Sequence, residues 1–526
     1  MGEAAVWLSG RIFTGRRYVE ALVVEEGRVL AAGSRRSVRR ERPTGSNRLE
    51  SGSGLVIPGL IDPHVHLLST TLAREGVNLE DVRSIEELLS RVQRWMDLHR
   101  DGPVLGRGWD QERLEDQRYP TRADLDRLTT RRPVVLYRVC AHAAVVNSPV
   151  MDTLGLTARS ADPKGGRFGR GSDGEPNGLL YDNALYEVYP ILSRSILGEP
   201  SGLRRTLDLA LRVGLTSLAS LGVSPEEVHW GKQQGSESPS RIRLRFYLDL
   251  RHVETVREGS PPDLDPVIRL VGVKAVLDGS LGARTAWLRE PYADARQERG
   301  LSLWSTGELT RKLERAVGAN LRIALHAIGD AALASAIDLL TANPTFRPVR
   351  IEHASLVPPD LLERLAVLAP DIVVQPLFVA SDTWIEDRLG PERARWTYPF
   401  RALKARKLRL AASSDAPVER LDPWPGLRSL THPPAFRSAF EDKSRRISFS
   451  AREAFEMYTT AAGECLGEPD LGHLEPGGRG DFLLLSAPTL DSAIAAGSST
   501  VRSTWVGGRR VHSNGSDTNG HGLLAA

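Results

Sequence analysis

The chain has 526 residues, of which 41% are hydrophobic and 26% charged, with a formal net charge of +3. That is the composition of a globular protein with room for about two to four domains. The small net charge makes no case for nucleic acid as a partner, no apolar run reaches the ~20 residues of a bilayer span, and two cysteines, Cys140 and Cys465, exclude a disulfide scaffold.

Met1 to Trp7 carries no basic segment followed by an apolar run, as a secretory leader would. Val6 stands where a myristoylation signal needs Ser or Thr. With so few cysteines, a reducing, cytoplasmic location is expected. Residues 1–58 then read as short strands with tight turns at Gly27 and Gly33. The last of these strands runs into Val56-Ile57-Pro58-Gly59-Leu60-Ile61-Asp62-Pro63-His64-Val65-His66. Side chains alternate along a strand, so His64 and His66 share a face about 7 Å apart, and two imidazoles there can grip one metal ion. A bare His-x-His in a loop would carry no such meaning.

Further along, strand-like runs alternate with helical patterns, which predicts parallel βα units. Buried-strand candidates are Val56 to Asp62, Leu215 to Leu221, Leu244 to Leu250, Val271 to Leu277, Arg322 to Ala327, Val349 to His353, Asp371 to Gln375 and Leu408 to Ser413. That set is what closes a (β/α)₈ TIM barrel. Helices are expected over Gly202 to Val213, Thr306 to Ala319, Ala331 to Thr341 and Pro359 to Leu368, the last with apolar residues near helical spacing. About 150 residues separate the first two barrel strands. They include strand candidates Val104 to Gly108 and Pro133 to Val139, so an insertion over the barrel mouth is expected. Near the C-terminus, Phe482 to Leu485 and Ser499 to Val506 read as strands, with Gly507-Gly508 as a hairpin turn. Residues after about Asn514 are polar and Gly-rich, and disorder is expected there. The α/β chain is therefore divided into a β-sandwich built from both termini (1–58 plus 466–526), a metal-dependent barrel (59–77 plus 190–465) and an insertion (78–189).

Active sites of such barrels sit at the C-terminal strand ends. There the sequence places His64 and His66, then Lys274, His326, His353 and Asp415. Alone, Lys274 reads more readily as a snorkelling or salt-bridged residue and His326 or His353 as a hydrogen-bonded core histidine than as ligands, and Asp415 could be a turn or helix cap. Together they are costly to desolvate unless they hold metal or pair with one another.

With these motifs the chain resembles the amidohydrolase superfamily, and within it the amidohydrolase-3 branch with its N-substituted formamide deformylase-like proteins. The resemblance spans nearly the whole chain. It also rests on Gly106-Arg107-Gly108-Trp109-Asp110, His142-Ala143-Ala144-Val145-Val146-Asn147-Ser148, Gly174-Glu175-Pro176-Asn177-Gly178 and Asp278-Gly279-Ser280-Leu281-Gly282-Ala283-Arg284-Thr285-Ala286. Val139-Cys140-Ala141-His142 departs from the branch, which usually has Asp-Gly before the His.

The resemblance implies one or two divalent ions, most often zinc, with Mn, Fe, Co or Ni as alternatives. His64, His66 and Asp415 would hold one ion and His326 and His353 the second, with Lys274 bridging them as an N6-carboxylated lysine. Asp415 would be the catalytic base, then acid, in hydrolysis of a C–N bond of amide or N-substituted formamide type. Trp109, Asp110 and His142 are candidate contacts to a small-molecule substrate, and for each a packed or hydrogen-bonded structural role stands beside that reading. Alternatives are a cyclic amide or amidine hydrolase or deaminase on the same barrel, and a catalytically inactive regulatory homologue, which would lack ligands. Barrels of this kind often form homodimers, though no stretch of the sequence marks an interface.

Overall fold

The computed structural model describes residues 5–139, 142–163, 165–198, 201–235, 242–259, 263, 265–433 and 447–514. The segment after Asn514, and Cys140 with Ala141, lie outside the described residues.

Eight parallel strands form the central sheet: β1 (Leu60–Val65), β2 (Leu215–Val223), β3 (Arg243–Asp249), β4 (Ile268–Val276), β5 (Arg322–Ala327), β6 (Val349–His353), β7 (Asp371–Val374) and β8 (Leu410–Ala412). Every neighbouring pair runs in sequence order. The ring is drawn shut between the first and last strands by a parallel bridge from Val65 to Ala416. The expected strand Val56 to Asp62 is in fact two. Asn47–Pro58 belongs to the terminal sheet and Leu60–Val65 to the barrel. The break falls at Gly59, where a Cβ would meet Thr216 Oγ1 at 2.2 Å, so only glycine lets the chain pass from one sheet to the other. The helices expected from periodicity are Ser201–Arg212, Thr306–Gly318, Asp330–Ala342 and Pro359–Leu368.

Residues from both termini make a seven-stranded sheet. Its order is Arg509–Ser513, Val501–Val506, Phe482–Leu485, Asn47–Pro58, Val6–Phe13, Tyr18–Glu25 and Arg28–Gly33. Where two stacked sheets were expected, the hydrogen-bond ladder is continuous through all seven strands. Gly507 (φ 59°) and Gly508 (φ 77°) both take positive φ, as a two-residue type I′ hairpin requires.

Between β1 and β2 the chain forms a helix, Leu67–Glu75, and then a third sheet. That sheet runs Gly166–Arg170, Pro176–Asp182, Ala143–Val146, Val134–Arg138, Val104–Trp109 and Val77–Asn78. It has its own core, in which Trp109 packs with Leu79, Leu88, Leu125 and Leu136.

Inside the barrel the side chains form layers. Ile61, Ala219, Leu221, Tyr247, Ala324, Val373 and Ala411 cluster with Ala462, Cys465, Leu466 and Leu471, a largely apolar plug. Above it Arg350 lies over the Tyr247 ring, 4.7 Å from its centroid. Its Nε donates to Glu352 Oε1 at 2.5 Å and its Nη2 to Pro63 O at 2.6 Å.

The terminal sheet is fastened to the barrel by a buried ion pair. Arg243 of β3 donates to Asp481 through Nε (2.6 Å) and Nη2 (2.9 Å), and both side chains are buried. Asp481→Ala leaves that guanidinium without its counterion, at an expected cost of about 3–5 kcal/mol. Urea unfolding checks this, and a midpoint equal to wild type would remove the pair from the fold's supports.

Candidate metal centre

The six residues expected at the strand ends lie together at the C-terminal mouth. His64 and His66 end β1, Lys274 sits near the end of β4, His326 on β5, His353 on β6, and Asp415 follows β8. All are buried except His66, whose side chain is 36% exposed. His64 Nε2 and His66 Nε2 each lie 3.2 Å from Asp415 Oδ1. Lys274 Nζ is 3.4 Å from His64 Nε2. The His353 ring stands between those of His64 and His326, at 5.2 and 4.4 Å. His64, His353 and Asp415 each offer a ligand atom within 4.8 Å of the others.

Hydrogen bonding fixes which nitrogen each imidazole presents. His64 Nδ1 donates to Glu352 Oε2 at 2.6 Å, and His66 Nδ1 to Leu221 O at 3.0 Å. His353 Nδ1 donates to Gln375 Oε1 at 2.8 Å, an amide oriented by its own Nε2 donating to Ser413 Oγ at 3.0 Å. His326 Nε2 donates to Gly279 O at 3.2 Å. A neutral imidazole has one N–H, so the remaining nitrogens carry lone pairs: Nε2 of His64, His66 and His353, and Nδ1 of His326. Two of these lone pairs face Asp415 Oδ1, which is buried and has no hydrogen-bond partner among the described residues. Acceptors set against acceptors repel, and a cation among them turns that repulsion into coordination. Imidazole nitrogens with a carboxylate oxygen are a donor set suited to a divalent transition metal.

Electrostatics favour the ligating protonation states. Burial, then the charge of Lys274, holds His64 well below the usual histidine range. Burial likewise lowers His326 and His353, each also disfavoured by a neighbouring imidazole. Burial pushes the Asp415 carboxyl up, but His64, His66 and Lys274 outweigh it and bring it down to about 2. Burial brings Lys274 down to about 8, against the pull of Glu352 and Asp415. Neutral imidazoles and an ionised carboxylate are the forms that bind metal.

The backbone is strained where ligands are presented. His353 (φ 72°), Ala354 (φ 44°) and Asp415 (φ 55°) are non-glycine residues in the left-handed region, at about 1–3 kcal/mol each. Regular alternation would send Glu352 and His353 to opposite faces of β6. The turn at His353 lets both reach His64. Glu352, Gln375 and Asp278 are supporting residues of the candidate site that strand-end reading missed. Asp278 accepts from the N–H groups of Trp287, Ile328 and Gly329, tying the loop after β4 to the end of β5. Glu352 immediately precedes His353 and Asp278 opens a quoted motif, so both were in view, but no spacing rule connects either to its partner.

The insertion's candidates separate. Trp109 is fully buried and its indole N–H donates to Leu136 O at 2.8 Å, so it is a core residue of the third sheet. Asp110 accepts from Arg138 at 2.6 Å on the wall of an outer recess of about 520 Å³. His142 is brought to the centre, its ring 6.2 Å from that of His326. It lines both that recess and an inner cavity of about 200 Å³ beside Lys274.

The sequence profile described as the Amidohydrolase family matches residues 52–512. The chain belongs to the amidohydrolase family. It is 30% identical to amidohydrolase YtcJ of Bacillus subtilis (strain 168), over 92% of this chain and 94% of that protein. It is 30% identical to Protein LONG AFTER FAR-RED 3 of Arabidopsis thaliana (96% and 91% covered) and 23% identical to N-substituted formamide deformylase of Arthrobacter pascens (90% and 91%). Among solved structures it resembles a metal-dependent hydrolase from Pyrococcus horikoshii OT3, with a TM-score of 0.78 and 29% identity over 91% of this chain and 97% of that one.

If Glu352 orients His64, Glu352→Gln should weaken metal binding about 10- to 100-fold. Competition against a chromogenic chelator reads the affinity, and circular dichroism checks the fold, because Arg350 loses its counterion in the same variant. An unchanged affinity would mean that His64 is held by backbone alone.

Proposed function

We propose that this amidohydrolase is a metal-dependent hydrolase of C–N bonds of the amide or N-substituted formamide type. The observation that carries the reading is that His64, His353 and Asp415 bring ligand atoms within 4.8 Å of one another at the barrel mouth, with His66 Nε2 also 3.2 Å from the partnerless Asp415 Oδ1. The ligands would be His64, His66 and Asp415 on one side and His326 and His353 on the other, with His353 near enough to His64 to serve a single ion as well. Zinc suits this set, with Mn, Fe, Co or Ni as alternatives. A divalent cation held there supplies Lewis acidity, acidifying water and polarising a carbonyl.

The chain's own groups do the rest. Asp415, ionised, accepts the proton of the attacking water on its carboxylate. Asp415 then delivers that proton to the leaving nitrogen, acting first as base and then as acid. The products are a carboxylic acid and an amine. Lys274 is the residue out of place as an ammonium, since its charge opposes a cation. Burial makes it easier to deprotonate, and its neutral amine can add to CO₂ and lose one proton, giving a carbamate whose oxygens are anionic ligands. The insertion limits water at the mouth and places His142 against the bound substrate.

Asp415→Asn and Lys274→Ala should each lower hydrolysis of a responsive amide by at least about 10²–10⁴-fold with circular dichroism unchanged. A panel of amides and formamides, assayed with metal-loaded enzyme and after chelation, provides the measurement. An Asp415→Asn variant of wild-type activity would remove the proton-transfer role.

A further inference from the structure

The inner cavity, of about 200 Å³, has the metal centre on one side and the insertion on the other. Most polar groups on its wall are committed within the protein. Asp182 accepts from His142 Nδ1 at 2.9 Å, and Arg107 Nη2 donates to Val139 O at 2.6 Å. The Tyr189 hydroxyl donates to Glu227. Asp249 is engaged on both oxygens by Arg251, at 2.8 and 2.7 Å.

Tyr137 is different. It lies on the strand Val134–Arg138 of the third sheet. Val134 and Leu136 pack into the core around Trp109, so alternation turns Val135 and Tyr137 to the opposite face, toward Leu72 and Leu185. Those two leucines line the inner cavity with Tyr137. The Tyr137 hydroxyl has no hydrogen-bond partner among the described residues, and it is not enclosed, as the orphan hydroxyl of Tyr247 is. Burial pushes its phenol up, yet the residue is only half-buried by surface. A side chain that deep with surface left over faces a void, and the void it lines is this cavity. A second phenol of the wall, Tyr186, has its ring under Arg251 and lies beside the Asp249 and Asp182 carboxylates, which repel an approaching acceptor. A phenol held protonated meets a ligand as an O–H donor, and a desolvated donor is matched when the ligand supplies an acceptor.

We propose that Tyr137 is a specificity-determining residue: its hydroxyl donates a hydrogen bond to an uncharged acceptor oxygen, a carbonyl or ether, on the acyl part of the substrate held in the inner cavity. The proposal rests on the hydrolase reading for calling that ligand a substrate, and it adds a feature of one half of it. Asp182 and Asp249 on the same wall disfavour a second anion there, hence an uncharged oxygen. Carboxylates outnumber guanidiniums around the outer recess, which suits the cationic amine product and leaves the inner cavity to the acyl half.

The test is binding to the metal-loaded enzyme, read by calorimetry, so that it does not depend on turnover. Levulinate and its homologue one methylene longer stand for acid products with a ketone oxygen. Replacing that oxygen with a methylidene group gives two carboxylates of nearly the same shape with no acceptor there. In wild type at least one ketone acid should bind at least about threefold more tightly than its methylidene counterpart. In Tyr137→Phe that preference should vanish or reverse, and in Tyr186→Phe it should persist. Because the hydroxyl has no protein partner to lose, Tyr137→Phe should keep the wild-type urea midpoint or raise it. Ketone and methylidene acids bound equally by wild type, wild type that binds neither, a preference that survives Tyr137→Phe or is lost equally in Tyr186→Phe, or a lowered midpoint in Tyr137→Phe would each overturn the proposal. Absence of hydrolysis across the separate amide panel would sink the hydrolase reading while leaving this ranking of ligands intact.

Discussion

The closure of the barrel between β1 and β8 is the interaction on which the rest depends. Asp415 N–H donates to His64 O at 2.9 Å and His66 N–H to Ala416 O at 2.7 Å. Asp62 completes the seam by accepting from the N–H groups of His64 and Ser414, each at 3.2 Å. These bonds join the two ends of the sheet and also set the ligands of the first strand against the ligand after the last. Residues 350 positions apart in sequence thus become neighbours through main-chain bonding, before any metal is considered. Burial lifts the Asp62 carboxyl to about 7, so this seam group sits in a dry setting.

Around that seam the barrel resolves a desolvation problem in layers. The plug below is largely apolar. Arg350 and Glu352 neutralise one another above it, and Glu352 passes its second oxygen to His64. At the top burial disfavours the charged forms of His64, His326 and His353, and each of the four imidazoles has one nitrogen committed to a protein acceptor. What is left is a set of lone pairs, and the donor beside them is Lys274 Nζ, 3.4 Å from His64 Nε2. Among the ligand atoms themselves, Asp415 Oδ1 is buried without a hydrogen-bond partner among the described residues, which is where a cation would be accommodated.

On the proposed reading, the bond chemistry and the choice of substrate fall to different parts of the chain. Barrel strand ends would provide the metal ligands. The inserted sheet, with its own core around Trp109, provides His142, Asp182 and the aromatic wall of the inner cavity. A core of its own lets that sheet hold a strained residue such as Asp182 over the mouth while the barrel below remains regular.

The barrel was legible because its signals are local. Buried parallel strands are apolar runs, and polar residues at their C-terminal ends stand out against them. That is how His64, His66, Lys274, His326, His353 and Asp415 could be named from residue types and spacing, and the helices from their 3.6-residue period. The break at Gly59 was not legible, because what forbids a side chain there is Thr216, more than 150 residues away. Nor was the burial of Trp109, since an aromatic beside a functional motif looks the same whether it faces a ligand or a core. Glu352, Gln375 and Asp182 matter only through contacts made across strands, His64 with Glu352 and His142 with Asp182. The sequence alone therefore determined which side chains could ligate metal, because strand alternation and residue chemistry are local properties. Only the tertiary structure decided which of their atoms converge and which buried oxygen is left open, because those depend on distances between distant segments.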